Sequence, residues 1–199
     1  DLHRELGARL VPFAGYAMPV QYPAGIIAEH THCRTAAGLF DVSHMGQATL
    51  TAATGDPAAL LERLVPGDIV GLAPGRMRYT LLLNDAGGIR DDLMATRLAA
   101  DRLYLVVNAA CKDADFAHIA GALGSAARLE RHEDRALLAL QGPMAAGVMG
   151  KLAPGADRMS FLAGAQVKGA GFDCFITRSG YTGEDGFELS VANGSADAL

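Results

Sequence analysis

Apolar and polar residues alternate in short stretches along much of this chain, which is the pattern of half-buried β-strands. The stretches predict strands near residues 46–52, 76–83, 89–98, 102–107, 126–131 and 135–141. Two further strands are predicted from the alternation of Phe172, Cys174 and Ile176 and from that of Phe187, Leu189 and Val191. Turn residues at 84–88 predict a hairpin between the second and third strands.

Helical spacing of apolar residues predicts four helices. They are expected over residues 24–37, from Asp56 onwards, over 112–123, and from Gly142 to about Leu152. Pro23 suits the first position of the first helix, and Gly38 suits its end. The inward face of that helix is expected to contain Ile26, Ile27, His30, Cys33 and Ala37. The preceding segment carries Pro12 and Pro19 and is expected to be irregular.

Together these elements predict an α+β fold with mixed and antiparallel sheets. The order of strands and helices over residues 46–131 resembles a ferredoxin-like split unit with an extra strand. The chain has 199 residues, of which 50% are hydrophobic, and this is enough to bury a core in one or two domains.

The composition excludes several classes of function. A net charge of −5 with scattered basic residues argues against a nucleic-acid partner. The three cysteines, Cys33, Cys111 and Cys174, show no metal-ligand spacing, and a reducing setting, cytoplasmic or in an organellar matrix, fits best. Apolar runs are too short to span a membrane, and no signal-peptide pattern opens the chain. Because Asp1 is not methionine, we expect the sequence to be trimmed.

The candidate functional residues lie in two acidic, glycine-rich segments at which the chain reverses direction. The first, residues 84–93 (NDAGGIRDDL), ends in Asp91 and Asp92, and adjacent strand residues face opposite sides. Only one of these acids can therefore face a pocket, and the other is expected to be solvated or paired. The second, residues 178–188 (RSGYTGEDGFE), has three glycines that let the backbone approach a ligand closely. Both patterns also fit plain surface hairpins, and the residues alone leave the two interpretations open.

These reversals belong to a set of five segments that, in order, resemble a known family. The segments are residues 11–16 (VPFAGY), 40–46 (FDVSHMG), 84–93, 141–143 (QGP) and 178–188. The family is the T-protein of the glycine cleavage system, a tetrahydrofolate-dependent aminomethyltransferase. The resemblance implies a three-domain folate-binding fold. Residues 1–45 and 132–199 would form an incomplete first domain and residues 46–131 an inserted ferredoxin-like domain, while the family's C-terminal barrel has no counterpart here.

The resemblance also implies a reaction and two acidic site residues. An aminomethyl group on the lipoyl arm of H-protein moves to the co-substrate tetrahydrofolate, giving 5,10-methylenetetrahydrofolate and ammonia. The family's catalytic acid matches Asp92, whose carboxylate would orient the folate amine, accept its proton and stabilise positive charge. Glu188 matches the acid that accepts two hydrogen bonds from the amino-pyrimidine edge of the pterin. This chemistry needs no covalent nucleophile and no metal.

Three other residues match the family's folate site: Tyr79, Asn108 and Tyr181. Aromatic faces suit a flat pterin or benzoyl ring. Without the resemblance, a strand tyrosine also fits packing at the edge of a core, and Asn108 also fits a helix cap. Thr96 departs from family members that have a tyrosine four residues after the catalytic aspartate.

Other functions stay open at this point. Folate-dependent demethylases and the folate domains of sarcosine or dimethylglycine oxidases share parts of these motifs, although no GxGxxG dinucleotide motif follows a strand here. A non-catalytic folate-binding module is a further alternative. The close spacing of Asp41, Ser43 and His44 predicts a structural turn and not a hydrolase triad. Apolar surface left without the barrel predicts self-association of the chain.

Overall fold

A computed structural model of the chain describes residues 2–168 and 173–199. Its helices are α1 (Leu2–Glu5), α2 (Ile26–Thr35), α3 (Pro57–Leu61), α4 (Lys112–Leu123) and α5 (Ala145–Leu152). Its strands are β1 (Arg9–Phe13), β2 (Tyr16–Gln21), β3 (Gly38–Asp41), β4 (Gly46–Ala52), β5 (Met77–Leu83), β6 (Ile89–Ala99), β7 (Arg102–Val107), β8 (Ala127–Arg131), β9 (Arg135–Gln141), β10 (Ala163–Lys168), β11 (Asp173–Arg178) and β12 (Gly186–Ala192).

The chain divides into two compact units. Unit 1 comprises Asp1–His44, Ala136–Phe161 and Gln166–Leu199. Unit 2 comprises Met45–Arg135 and Leu162–Ala165. Each unit has its own five-stranded sheet and its own cluster of buried apolar side chains.

Unit 2 is built on a sheet with the strand order β5-β6-β7-β4-β8, in which every neighbouring pair is antiparallel. The order β8-β4-β7-β6 is that of a ferredoxin-like split unit, and β5 is the extra strand at the edge. Helices α3 and α4 share a core with the sheet, formed by Leu50, Leu61, Leu82, Leu93, Leu103, Leu105, Phe116 and Ile119. Because Leu93 of β6 faces this core, Asp92 faces the opposite side of the sheet.

Unit 1 contains the hairpin of β1 and β2 and a sheet with the strand order β10-β11-β12-β9-β3. Its core is formed by α5 and the sheet, with Leu140, Met149, Cys174, Ile176, Phe187, Leu189 and Val191 among its members. Strands β11 and β12 are antiparallel, with Thr177 opposite Glu188 and Arg178 opposite Phe187. The second acidic reversal therefore joins two central strands of this sheet.

The N-terminal segment is more regular than its prolines predict. Instead of irregular structure, residues 9–21 form the β1–β2 hairpin. A two-stranded sheet has two free edges, so it tolerates Pro12 and Pro19, which cannot donate ladder hydrogen bonds. The expected helix start at Pro23 is also wrong. The helix begins at Ile26, after Gly25 adopts a φ of +84° that no helix contains.

The inward face predicted for α2 is confirmed at Cys33 but wrong at Ile26, Ile27 and His30. Ile26 is 50% exposed and Ile27 is 78% exposed, and Cys33 is the buried residue of this helix. The helix packs against β2 and the edge strand β3, and this contact is too narrow to cover a wide apolar face. Gly38 does not end the helix but opens β3.

Two further differences concern a strand and a helix start. Strand β3 was not predicted, because Leu39 and Phe40 are 63% and 40% exposed and give no alternation. Helix α5 begins at Ala145, since Gly142 has a non-helical φ of +126°. Phe172 lies outside the described residues, while Cys174 and Ile176 are buried in β11 as predicted.

Candidate functional site

Three of the residues predicted to bind folate lie together in unit 2. Across β5 and β6, Tyr79 pairs with Met94 and Leu81 pairs with Asp92. Tyr79 and Asp92 therefore share the sheet face opposite α3 and α4. The hydroxyl group of Tyr79 is within hydrogen-bonding reach of Asp92, and this hydrogen bond raises the pKa of Tyr79. The ring of Tyr79 is 56% exposed, which leaves its face open to a ligand.

Asn108, the third of these residues, follows directly after β7. Its Nδ2 donates to Oδ1 of Asp91 at 2.9 Å, to Oδ1 of Asp92 at 2.5 Å and to the Asp92 carbonyl at 3.3 Å. Two N–H groups thus serve three acceptors and hold both acids in place. Asn108 is not a helix cap, because the position before α4 is occupied by Cys111. Its side chain instead belongs to the acidic reversal.

Asp91 lies on the other face of β6. Its carboxyl group is paired with hydrogen-bond donors, which is one of the two outcomes expected for the acid that does not face a pocket. Its Oδ1 accepts the backbone N–H of Asp92 at 2.9 Å in addition to the Asn108 amide. Its carboxyl group is also within hydrogen-bonding reach of Asp115 and Cys111. Burial alone raises the pKa of Asp91, but these hydrogen bonds outweigh it and hold the pKa below the ordinary value. The negative charge of Asp91 raises the pKa of the Cys111 thiol.

Asp115 was missed by the sequence analysis. It lies in the first turn of α4 and is only 2% exposed. Burial, followed by the hydrogen bond and charge of Asp91, raises its pKa to about 7. The helical spacing already contained the signal, because Asp115 precedes the buried Ile119 by four residues and so belongs to the inward face.

Tyr181 and Glu188 lie together in unit 1. Glu188 is 7% exposed on β12 and accepts hydrogen bonds from the Tyr181 hydroxyl at 3.3 Å and from Thr177 Oγ1 at 3.4 Å. Burial raises the pKa of Glu188 to about 7, and the two hydrogen bonds oppose this shift only in part. The ring of Tyr181 is 53% exposed beside this buried carboxyl group. Thr177, which the sequence analysis did not single out, is the partner opposite Glu188.

Gln141 holds the start of the reversal from inside unit 1. Its side chain is 1% exposed, and its Nε2 donates to the Ser179 carbonyl at 3.1 Å. Its Oε1 accepts the backbone N–H of Tyr181 at 2.8 Å. A Cβ atom on Gly186 would lie 2.2 Å from the Gln141 amide, so this contact requires glycine there.

Two arginines hold the rest of the reversal. Arg178 Nε and Nη2 donate to the two carboxylate oxygens of Asp185 at 3.1 and 2.5 Å, and Nη1 donates to the Asp157 carbonyl at 2.9 Å. Arg34 donates to the Thr182 carbonyl at 2.6 Å and pairs with Glu184 at 3.1 Å. A plain surface hairpin needs none of these contacts. They fix the conformation of the loop beside Glu188.

Other sequence candidates have structural roles or lie elsewhere. Ser43 Oγ bonds the backbone of Leu137, and Asp41 accepts a hydrogen bond from His3 at 2.9 Å, so no hydrolase triad forms around His44. A cavity of about 790 Å³ in unit 1 is lined mainly by α2, β2 and β3, and by none of the five predicted site residues. Within residues 2–168 and 173–199, no group of three or more His, Cys, Asp or Glu side chains is placed to hold a metal ion.

Comparison with known proteins identifies the family. Residues 1–199 match the family described as the GCVT N-terminal domain. The chain belongs to this family. The resemblance noted in the sequence is thereby confirmed.

The chain is similar to two relatives and, more distantly, to one further protein of known structure. It is 43% identical to the mitochondrial aminomethyltransferase of Dictyostelium discoideum, with 100% of this chain and 51% of that protein covered. The structure of the glycine cleavage system aminomethyltransferase T from Bartonella henselae matches with a TM-score of 0.92 and 43% identity, over 100% of this chain and 54% of that one. This match confirms the predicted α+β fold class.

A heterotetrameric sarcosine oxidase from Corynebacterium sp. U-96 matches with a TM-score of 0.59 and 19% identity, over 86% of this chain and 85% of that one. At this identity the match shows a shared fold alone. The chain spans about half the length of the curated relatives it matches. In the part of the chain that the structure describes, no helix is long and apolar enough to cross a membrane.

Proposed function

We propose that this protein is an aminomethyltransferase of the glycine cleavage type. Tetrahydrofolate is its co-substrate, and the lipoyl arm of H-protein is the donor of the aminomethyl group. The products are 5,10-methylenetetrahydrofolate, ammonia and the reduced dithiol arm. The observation that carries the proposal is that Asn108 hydrogen-bonds Asp92, with Tyr79 on the same sheet face, in a chain whose relatives are named aminomethyltransferases.

Asp92 takes the role of the catalytic acid in this proposal. An amine of folate must lose a proton as it attacks an iminium-like carbon, and a carboxylate beside it accepts that proton and stabilises the positive charge. Asn108 supports this role because its hydrogen bond fixes the orientation of the Asp92 carboxylate. Tyr79 supplies an exposed ring next to the same group.

Glu188 and Tyr181 bind the pterin in this proposal. A carboxylate accepts two hydrogen bonds from an amino-pyrimidine edge, and a buried one does so with little competition from water. Glu188 has the required burial, and the exposed ring of Tyr181 offers a flat surface for stacking.

We also propose a division of the chain into domains and a cellular compartment for the protein. We assign residues 1–45 and 132–199 to a folate-binding domain and residues 46–131 to an inserted one. Cys33, Cys111 and Cys174 form no disulfide bond in the described part of the chain, which supports a reducing compartment, either the cytoplasm or an organellar matrix.

Calorimetric titration of tetrahydrofolate tests the binding residues. Glu188→Ala is expected to weaken binding at least about tenfold, roughly 1.4 kcal/mol, because the pterin loses its buried acceptor. Glu133→Ala is the matched control, since Glu133 is an exposed acid whose side chain is 75% accessible. No binding by the wild-type protein, or equal binding by both variants, would contradict the proposal.

Transfer activity tests Asp92. With H-protein carrying the aminomethyl group, Asp92→Asn is expected to lower the rate by about 10²- to 10⁴-fold while tetrahydrofolate affinity changes little, because the amide cannot accept the proton. Asp85→Asn is the control, because Asp85 is exposed in the turn of the same hairpin. A rate for Asp92→Asn close to wild type would remove Asp92 from the mechanism.

A further inference from the structure

The acids Asp91 and Asp115 form a buried pair behind Asp92. Their carboxyl groups are within hydrogen-bonding reach of each other. Oδ2 of Asp91 and Oδ2 of Asp115 are both buried, and neither accepts a hydrogen bond from the described residues, although the Cys111 thiol lies near the Asp91 carboxyl group. Two carboxylate oxygens that meet without a donor repel each other, whereas one proton between them satisfies both.

The remaining contacts of Asp91 show what this pair supports. Oδ1 of Asp91 accepts the amide of Asn108 and the backbone N–H of Asp92. The same Asn108 nitrogen donates to Oδ1 of Asp92. The orientation of Asp91 therefore decides where the Asn108 amide and the Asp92 carboxylate lie. Asp115 is the buried group that can fix this orientation from α4.

We propose that Asp115 is a positioning residue that keeps a proton in a hydrogen bond to Asp91, and so orients Asn108 and Asp92 towards tetrahydrofolate. This inference rests on the proposed function and adds a residue from α4 to that site. Asp115 itself touches neither the substrate nor the reacting atoms in this arrangement.

The electrostatics of the pair agree with a shared proton. Burial, followed by the hydrogen bond and charge of Asp91, raises the pKa of Asp115 to about 7, while hydrogen bonds led by that of Asn108 lower the pKa of Asp91, so a proton held by the pair resides on Asp115. Asp91, Asp92 and Arg90 of β6 act on Asp115, and of these Arg90 favours its ionised form, while the Cys111 thiol lies near both acids from the start of α4. Above about pH 7 Asp115 loses the proton, and repulsion then displaces Asp91.

The first measurement is the titration of the aspartate carboxyl carbons by NMR, without folate. Asp115 is expected to titrate near pH 7 in the wild type, and to titrate at lower pH in Asp91→Asn, where the neighbouring charge is gone. An Asp115 resonance that titrates in the ordinary range of exposed aspartates in the wild type would overturn the proposal.

The second measurement is tetrahydrofolate affinity between pH 6 and pH 8.5. Asp115→Asn keeps a permanent donor to Asp91, so it is expected to bind within about twofold of wild type at pH 6. Above pH 7.5 it should bind more tightly than wild type, since its donor cannot ionise. Asp115→Leu lacks a donor and is expected to bind at least tenfold more weakly at every pH. Asp113→Asn, an exposed acid two residues earlier, is the control and should follow wild type.

The variants separate the two hypotheses. If Asn108→Ala weakens binding while Asp115→Leu, shown to be folded by its circular dichroism, binds like wild type, the positioning role is overturned and the proposed function stands. If the ratio of Asp115→Asn to wild-type affinity does not rise between pH 6 and pH 8.5, ionisation of Asp115 does not affect the site and the proposal is again overturned. If the wild type does not bind tetrahydrofolate at any pH, both the proposed function and the role of Asp115 fail.

Discussion

At the residue scale, burial gives the carboxyl group of Glu188 properties that suit it to binding a ligand. The side chain is 7% exposed and has two weak hydrogen-bond partners, the hydroxyl groups of Tyr181 and Thr177. Removal from water disfavours the carboxylate, and hydroxyl donors compensate for this less than cationic partners would. The result is a carboxyl group that changes its charge near neutral pH, where a ligand with two donors can stabilise the ionised form.

The titration of Glu188 predicts a pH dependence of folate binding. Because its pKa is raised to about 7, the fraction ionised rises about tenfold between pH 6 and pH 8. The ratio of wild-type to Glu188→Gln affinity is therefore expected to increase about tenfold over this range. Calorimetry at the two pH values measures the ratio, in which contributions from other titrating groups cancel. A ratio that stays constant would mean that the pterin does not require the ionised form.

At the scale of elements, the reversal between β11 and β12 depends on close contacts that glycines permit. A Cβ atom on Gly180 would lie 2.0 Å from the backbone oxygen of Glu184, within the same turn. Backbone atoms cannot move aside as the end of a flexible side chain can. The glycines of this segment therefore serve the shape of the loop.

Alanine substitutions test this requirement. Gly180→Ala is expected to lower the free energy of unfolding by about 1–3 kcal/mol, because the loop has to shift. Gly147→Ala is the matched control, since Gly147 lies in α5 with open space around its Cβ position. There alanine should raise stability by about 0.5–1 kcal/mol. Urea unfolding measures both changes, and equal effects of the two substitutions would contradict the steric argument.

The ion pair of Arg178 and Asp185 gives a second prediction for this loop. The hydrogen bond from Arg178 lowers the pKa of Asp185, so the pair stabilises the fold above the ordinary aspartate pKa and loses this effect as the pH falls through the lowered value. Arg178→Met is expected to cost about 1–3 kcal/mol at pH 7 and less at pH 3.

Arg128→Met is the control for that substitution. Arg128 pairs with Glu130 at 3.2 Å, but their side chains are 77% and 55% exposed. Surface pairs of this kind contribute about 0–1 kcal/mol. Urea unfolding at the two pH values should therefore separate the two variants. A loss for Arg178→Met that is as large at pH 3 as at pH 7 would show that Asp185 is not its partner.

At the scale of the whole molecule, apolar exposure is concentrated in unit 1. Large apolar side chains with at least a third of their surface exposed include Phe13, Val20, Ile26, Ile27, Leu39 and Phe40. They come from the hairpin, α2 and β3, which also surround most of the 790 Å³ cavity. Exposed apolar surface of this extent favours association with other surfaces.

Self-association of the chain is the resulting prediction. Light scattering at high protein concentration is expected to show dimers or larger species. Ile27→Glu, at a residue that is 78% exposed in this region, should shift the distribution towards the monomer. Ile89→Glu is the control, because Ile89 is 65% exposed but lies in unit 2. A monomeric wild type at high concentration would contradict the prediction.

Local patterns predicted the elements that pack against a broad core. Strands β4 to β9 and helix α4 lie within one residue of their predicted limits, because alternating or helically spaced burial leaves its period in the sequence. The same reasoning predicted α2 with limits that were too wide and with an inward face wrong at Ile26 and Ile27, and it missed β3, because the side chains of both elements are largely exposed and carry no such period. The resemblance to a family, and not the periodicity, supplied the proposed roles of Asp92 and Glu188.

The sequence by itself determined the order of most elements and the two acidic reversals, since these depend on neighbouring residues. Only the tertiary structure decided which acid meets which partner. It placed Asp115 of α4 against Asp91 of β6, and Thr177 of β11 opposite Glu188 of β12. Burial and hydrogen bonding between separate elements set the charge of a carboxyl group, and neither can be read from its neighbours along the chain.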